Sequence, residues 1–308
     1  MTTPDERARG ALWGQAVGDA LGTTVEFQDE FEIATRASSR WPDELIGQGP
    51  FRLLPGQITD DTELALALAR SLVRRGTYDA EDVAQAYLRW YQSGPFDCGF
   101  ATRQAFGAPA KSADELRARA SRQTQANGSL MRSSPLGLFG AALPRGELGA
   151  LAAADSTLSH PDPVCQAACA VFVTTIADAI TTGESGERLF SRALEFSAGG
   201  PVEDTLRAAR EGLPRSDGDD QGWVRIALQH AFFHLLHATD FRAALVQTAT
   251  RGGDTDTNAA IAGALLGARL GVEAIPASWR AAVRDCRPQR PAEYRCADLD
   301  VLALALLR

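Results

Sequence analysis

At 308 residues, 45% of them hydrophobic and 23% charged, the chain is long enough for a large core and permits two domains; its composition is neither disordered nor fibrous. A formal net charge of −8, with no dense lysine or arginine tract, does not favour nucleic acid or an anionic membrane as a partner. Five cysteines without a CxxC pair read as free thiols of a reducing compartment, and the charged start from Met1 to Gly10, followed by no continuous apolar stretch, argues against a signal peptide or membrane span. The expectation is a cytoplasmic protein.

Helical patterning then dominates in chain order. The first expected helix, Ala8 to Leu21, carries glycines at 14, 18 and 22, one every four residues, which opens a groove for a second helix. Asp19 interrupts that apolar stretch at a place from which it can hydrogen-bond a neighbouring helix end. No strand precedes these glycines, and their spacing is wrong for a dinucleotide fingerprint. A polar connection, Gln28 to Leu53, follows, with Phe51 to Leu54 the best short strand candidate. Leu64 to Leu72 alternates like a strand but is rich in Ala and Leu, so it reads as a helix buried on most sides; Asp60 and Glu63 fit a capping box at its start. Ala80 to Tyr91 is the next helix. The connection Gly94 to Lys111 comes after it, and nearby Trp90, Tyr91 and Phe96 are either core or an aromatic platform.

Further helices are expected at Ser112 to Ala120, Val164 to Ile180 and Leu189 to Phe196, with Cys165 and Cys169 on one core face. The third long connection, Gly199 to Gln221, contains Asp217-Gly218-Asp219-Asp220, which lacks the spacing and closing glutamate of a calcium loop and reads as a solvated turn. Its acidic stretch from Ser216 to Gln221 suits a basic target peptide. Gly222 to Leu236 places His230, His234 and His237 on one helical face; without an H-E-x-x-H arrangement they read as hydrogen-bonded helix histidines rather than zinc ligands. Phe232, Phe233 and Phe241 are expected to pack the same helix pair. Phe241 to Thr248, Ala259 to Gly271 and Ala297 to Leu307 complete an all-α pattern with one continuous core, read as a single domain over 1–308. Long polar connections in such a fold are candidates for active-site rims.

Two acidic runs carry the chemistry: Gln57 to Glu63, containing Thr59, Asp60 and Asp61, and Gly252 to Asn258, containing Asp254, Asp256 and Thr257. Each follows glycine and feeds an apolar helix, where carboxylates are expensive unless cations or hydrogen bonds compensate them. Side chains two apart in Asp254-Thr255-Asp256 converge when the backbone turns into a helix, whereas the adjacent Asp60 and Asp61 diverge and can serve two ions, or one ion and a water. Oxygen-only ligands point to hard cations, Mg²⁺ or Mn²⁺, held about 3.5–4 Å apart. The competing reading is simple helix capping by these aspartates. Ser129, outside any G-x-S-x-G context, is no hydrolase nucleophile.

The ordered set Gly14 to Gly22 with Glu26, Thr59-Asp60-Asp61-Thr62, Trp90 through Asp97-Cys98-Gly99, Asn127-Gly128-Ser129-Leu130-Met131-Arg132, Ser159-His160, Gly222-Trp223-Val224 and Gly252 to Thr257 resembles the ADP-ribosylglycohydrolases along nearly the whole chain. The resemblance implies a compact orthogonal multi-helix fold with a dimetal centre, in which Thr59, Asp60, Asp61, Asp254, Asp256 and Thr257 hold two Mg²⁺ or Mn²⁺ ions. It implies that Glu26 activates water and that Asp97 transfers a proton or orients the distal ribose. By the same resemblance Asn127, Gly128 and Ser129 cradle the diphosphate and ribose, and His160 contacts substrate. The implied activity is hydrolysis of the bond between ADP-ribose and an acceptor, most readily a protein side chain such as arginine, by a monomer that releases ADP-ribose. A binding module that captures ADP-ribose without turnover, and a hydrolase of small-molecule or nucleic-acid adducts, are the alternatives the same residues allow.

Overall fold

The computed structural model describes residues 2–307, apart from the Arg36 side chain. The described chain forms sixteen α-helices. The first eight are α1 (Pro4–Gly22), α2 (Glu30–Arg36), α3 (Asp60–Arg75), α4 (Ala80–Gln92), α5 (Phe100–Phe106), α6 (Ala113–Arg119), α7 (Ser134–Phe139) and α8 (Arg145–Ser156). The second eight are α9 (Pro163–Thr182), α10 (Gly186–Ser197), α11 (Gly200–Glu211), α12 (Val224–His237), α13 (Phe241–Ala249), α14 (Thr255–Leu270), α15 (Ala277–Asp285) and α16 (Leu299–Leu306). Every helix expected from the sequence is present, with ends shifted by a few residues. Each of the three long connections also holds a helix: α2 and α5 of seven residues, and α11 of twelve. The strand proposed at Phe51 to Leu54 does not form; Leu53 makes a single bridge to Gln48, and the residues between them turn.

Helices α1 and α14 lie at the centre, with α9, α12 and α13 packed on one of them or both. Their contact is made by backbone. A Cβ on Gly14 would stand 2.1 Å from the Gly263 carbonyl oxygen, one on Gly18 2.1 Å from the Ala259 oxygen, and one on Gly22 2.3 Å from the Thr255 oxygen. The four-residue glycine period therefore fixes both separation and register, since no side chain fits between the helices. Around them sits a continuous buried cluster of alanine, leucine, valine and aromatic side chains. Helix α9 is long and apolar enough to cross a bilayer, but 72% of that stretch is buried inside the fold, as in a core helix. It carries Cys165 and Cys169, both buried free thiols.

The start of α3 departs from expectation. Thr59 is its N-cap but offers no side-chain cap, and Glu63 does not close a box with Asp60. Instead Glu63 accepts two hydrogen bonds from the Arg290 guanidinium, at 2.8 and 2.7 Å, and one from Trp90 Nε1 at 2.8 Å. A buried bidentate guanidinium outcompetes a backbone N–H for that carboxylate. The cap comes from α1: Asp19 accepts from the Thr59 N–H at 3.0 and 3.1 Å and from the Thr62 N–H at 3.1 Å. Gln15, one turn earlier, donates to the Asp61 and Met131 carbonyls at 3.1 and 2.9 Å. One helix thus holds both the acidic run at 59–62 and the loop at 127–132.

Because the α1–α14 contact leaves no space, Gly14→Ala should destabilise the protein by about 1–3 kcal/mol. Gly146→Ala, where an added Cβ meets nothing within 4 Å, should stay within about 0.5 kcal/mol of wild type. Denaturant unfolding of both variants checks this, and equal stability of the two would refute close backbone packing.

Candidate active site

Six carboxylates line a cleft of about 310 Å³: Glu26, Asp60, Asp61, Asp97, Asp254 and Asp256. Glu26 lies in the turn after α1, where Phe27 takes a positive φ of 64° and donates its N–H to the Gly253 carbonyl at 2.8 Å. Gly253 donates back to the Gln28 carbonyl at 2.9 Å, so this turn is clamped beside the start of α14. The result brings oxygens of Glu26, Asp254 and Asp256 within 4.8 Å of one another. Asp60 and Asp61 enter from the first turn of α3, and Asp97 from the segment between α4 and α5. A direct link joins the two acidic runs: Thr257 Oγ1 donates to Asp61 Oδ2 at 3.4 Å.

Of the residues singled out in the sequence, ten line the cleft together: the six carboxylates, Thr257, Asn127, Gly128 and His160. Thr59 and Ser129 stand behind it. The Thr59 hydroxyl donates to Asp61 Oδ2 at 3.0 Å, and Ser129 Oγ, fully buried, accepts from Ser156 Oγ at 2.9 Å. Asn127 Nδ2 is bonded to Asp254 Oδ2 at 2.6 Å. Its loop is fastened to the start of α12 by the Ala126–Trp223 bridge and by the Asn127 N–H on the Gly222 carbonyl at 3.0 Å.

Other local signals resolve as ordinary structure. His230, His234 and His237 bond separately to Ser216 Oγ, Thr248 Oγ1 and the Arg210 carbonyl, at 2.7, 2.8 and 3.1 Å. Phe232 meets Phe190 at 6.2 Å in the core. Trp90 is fully buried on Glu63, and Phe96 rests on Phe51 at 5.6 Å, so neither builds a platform in the cleft. Asp217 pairs with Arg215 at 2.7 Å, and Gly218 to Asp220 are exposed, as in a solvated turn. Sequence reasoning missed Phe27, Phe100 and Thr102 on the cleft wall. Phe27 directly follows Glu26, and Thr102 lies on a short helix that no apolar period announces.

The electrostatics are those of uncompensated acid. Burial first, and then repulsion from Asp97, Asp254 and Asp60, raises the Glu26 pKa to about 10. Burial, followed by the neighbouring carboxylates, also pushes Asp60, Asp61 and Asp256 well up. Asp97 rises to about 6, chiefly through burial. Glu26 Oε2 and Asp61 Oδ1 are buried without a hydrogen-bond partner. Oxygen-only donors, unpartnered buried carboxylate oxygens and mutual repulsion fit one kind of group, a hard divalent cation. These observations favour the ligand reading over simple capping.

Comparison with known proteins agrees in extent. The family described as ADP-ribosylglycohydrolase matches residues 1–308. The chain is 33% identical, over 319 aligned positions, to the ADP-ribosyl-[dinitrogen reductase] glycohydrolase of Rhodospirillum rubrum, covering 97% of this chain and 100% of that one. It is 31% identical over 294 positions to the ADP-ribosylarginine hydrolase Tri1 of Serratia proteamaculans (strain 568), covering 89% and 74%. A solved ADP-ribosylglycohydrolase-related protein complex superposes with a TM-score of 0.80 at 31% identity, covering 100% of this chain and 99% of that one.

The raised carboxylates set a pH dependence with a definite sign. Their folded pKa values exceed unfolded values of about 4, so folding takes up protons, and stability falls as pH rises through the folded values. His160 and His234, lowered to about 3 and about 4 mainly by burial, act oppositely: they cost stability as pH falls below the unfolded value of about 6.5. Melts between about pH 6.5 and 8 therefore read mainly the carboxylates, since above that range the cysteine thiols, also raised by burial, ionise in the unfolded chain at about 8.5. Metal-stripped protein should lose Tm as pH rises, and millimolar Mn²⁺ should flatten the curve. A flat curve without metal would mean that the protein itself compensates these charges.

Proposed function

The chain belongs to the ADP-ribosylglycohydrolase family and is a hydrolase of ADP-ribose linkages, and from that premise we propose that it is a dimetal enzyme acting on ADP-ribosylated arginine side chains. The observation that carries the metal reading is the convergence of two distant acidic runs on one cleft with buried carboxylate oxygens left unpartnered. Asp60, Asp61, Asp254, Asp256, Thr59 and Thr257 would hold two Mg²⁺ or Mn²⁺ ions, with Glu26 beside them. When bound, such ions neutralise the carboxylates and polarise hydroxyl or water oxygen. The arginine preference is supported by the relative named as an ADP-ribosylarginine hydrolase.

The chain's own residues divide the remaining work. Water oxygen bonds to C1″ of the distal ribose while the bond from C1″ to the acceptor breaks, and the electron pair leaves with the acceptor. Burial and crowding alone would keep Glu26 protonated up to about pH 10, so its role as base needs the cations' compensation. With that, Glu26 Oε2, buried and free of partners, would take the proton lost by water. Asp97, on the cleft wall from the segment between α4 and α5, returns a proton to the acceptor or holds the ribose. A guanidinium leaving group needs little acid help, and a hydroxyl-linked one needs more.

Glu26→Gln should keep the shape and ADP-ribose binding but lower turnover by about 10²-fold or more. Calorimetry and turnover on one preparation check this; unchanged turnover would remove Glu26 from proton transfer. Offered arginine-linked, serine-linked and nucleic-acid-linked ADP-ribose with Mg²⁺, the protein should release ADP-ribose fastest from arginine, as followed by mass. Faster release from serine or nucleic acid would overturn the acceptor assignment, and binding without any release would favour a capture module.

A further inference from the structure

Behind the cleft wall that carries His160 runs a chain of buried polar groups. Tyr87 donates its hydroxyl to Asp155 Oδ1 at 3.0 Å, and Arg132 donates Nε to Asp155 Oδ2 at 3.1 Å and Nη2 to the Asp155 carbonyl at 2.9 Å. The other arm of the guanidinium, Nη1, donates to Ser159 Oγ at 2.6 Å, and Ser159 Oγ lies 2.8 Å from His160 Nδ1. None of these side chains is more than 1% exposed.

The direction of the last bond follows from the others. A guanidinium has donors only, so Ser159 Oγ accepts from Arg132. The Ser159 hydroxyl hydrogen is then free for the lone pair of His160 Nδ1. The opposite tautomer would aim two donors at Ser159 Oγ and strand its hydroxyl hydrogen in a dry interior, where an unpaired polar group is costly. A doubly protonated ring would add a second cation close to Arg132. In agreement, burial and then the Arg132 charge lower the His160 pKa to about 3.

The far edge of the ring meets the cleft floor. His160 Cε1 and Nε2 lie 2.9 and 3.1 Å from the point where a Cβ on Gly128 would stand, and Thr102 Oγ1 lies 3.0 Å from the same point. The Thr102 side chain is 1% exposed and its hydroxyl has no partner. We infer that Arg132 and Ser159 are positioning residues that lock His160 as the neutral Nε2–H tautomer, so that it and the Thr102 hydroxyl present two uncharged donors to a substrate oxygen beside Gly128. In a cleft that also holds six carboxylates, such uncharged donors suit a phosphoryl or ribose oxygen. His160 keeps its proton throughout and leaves proton transfer to Glu26 and Asp97. The substrate half of this inference rests on the ADP-ribose reading above; the tautomer half stands on the hydrogen-bond chain alone.

Nitrogen-15 NMR of the full-length protein with labelled histidine tests the lock, with His160→Gln assigning the signal. The wild-type ring should read as Nε2–H and should not titrate between about pH 5 and 8. Ser159→Ala should shift the tautomer and raise KM for an ADP-ribosylated arginine peptide by about tenfold, with a smaller change in kcat. His160→Gln, whose amide nitrogen takes the place of Nε2, should bind ADP-ribose better than His160→Asn, whose amide takes the place of Nδ1. Competition by AMP against ribose 5-phosphate, in wild type and Thr102→Val, tells which half of ADP-ribose supplies the oxygen: the ligand whose affinity falls in the variant carries it, and no loss for either removes Thr102. An Nδ1–H wild-type ring, a titrating ring, or an unchanged tautomer in Ser159→Ala overturns the lock whatever the substrate. Equal ADP-ribose binding by the two His160 variants overturns the donor role. Wild-type protein that binds no ADP-ribose overturns the functional reading and the donor role together, while the spectrum still decides the lock.

Discussion

Between α1 and α14 the carbonyl oxygens of Gly14 and Gly263 occupy the space where each other's side chain would begin. That contact sets where the acidic residues can be. The last glycine of the row, Gly22, faces Thr255 and Asp256, so the turn holding Glu26 must emerge beside the aspartates at the start of α14. Asp19, on the same helix, captures the start of α3 and brings Asp60 and Asp61 to the same place. Three segments far apart in sequence are placed by one rigid element, with the precision of backbone contact rather than of flexible side chains.

The fold treats its buried acids in two ways. Behind the cleft walls the protein itself compensates them: Glu63 has Arg290, Asp155 has Arg132, and Asp19 takes the backbone N–H groups at the start of α3. Asp178 has both Arg145 and Arg192. Among the described residues, none of the six cleft carboxylates takes part in an ion pair. The difference is not a shortage of basic residues, since the chain carries 31. Compensation inside the cleft is left to what binds there, and the paired acids behind it hold the walls still while that happens.

Much of this was legible in the sequence, for identifiable reasons. The glycine period of α1 and the apolar runs of α3, α9 and α14 are local patterns long enough to survive any tertiary context. The two acidic runs stood out because carboxylates beside buried helices demand an explanation. Helix α2 was hidden in a polar stretch although Asp29 and Glu32 do form a capping box, and α5 and α7 have too few residues to show a period. The capping role expected of Glu63 failed because its partner, Arg290, comes 227 residues later. The same limit concealed Tyr87, Arg132 and Asp155: their meaning lies in pairings that no local pattern announces.

The cleft is built on two unequal tiers. Its floor is over-determined, since Gly128 has no room for a side chain between His160 and Thr102, and the turn at Glu26 is clamped by Gly253. Its lip is not: Phe27 and Phe100 are 56% and 82% exposed. Substitutions on the lip disturb little packing, whereas those on the floor must move backbone. Change within this architecture is therefore channelled: side chains on the lip can be exchanged at little cost to folding, while the floor beneath them is held fixed.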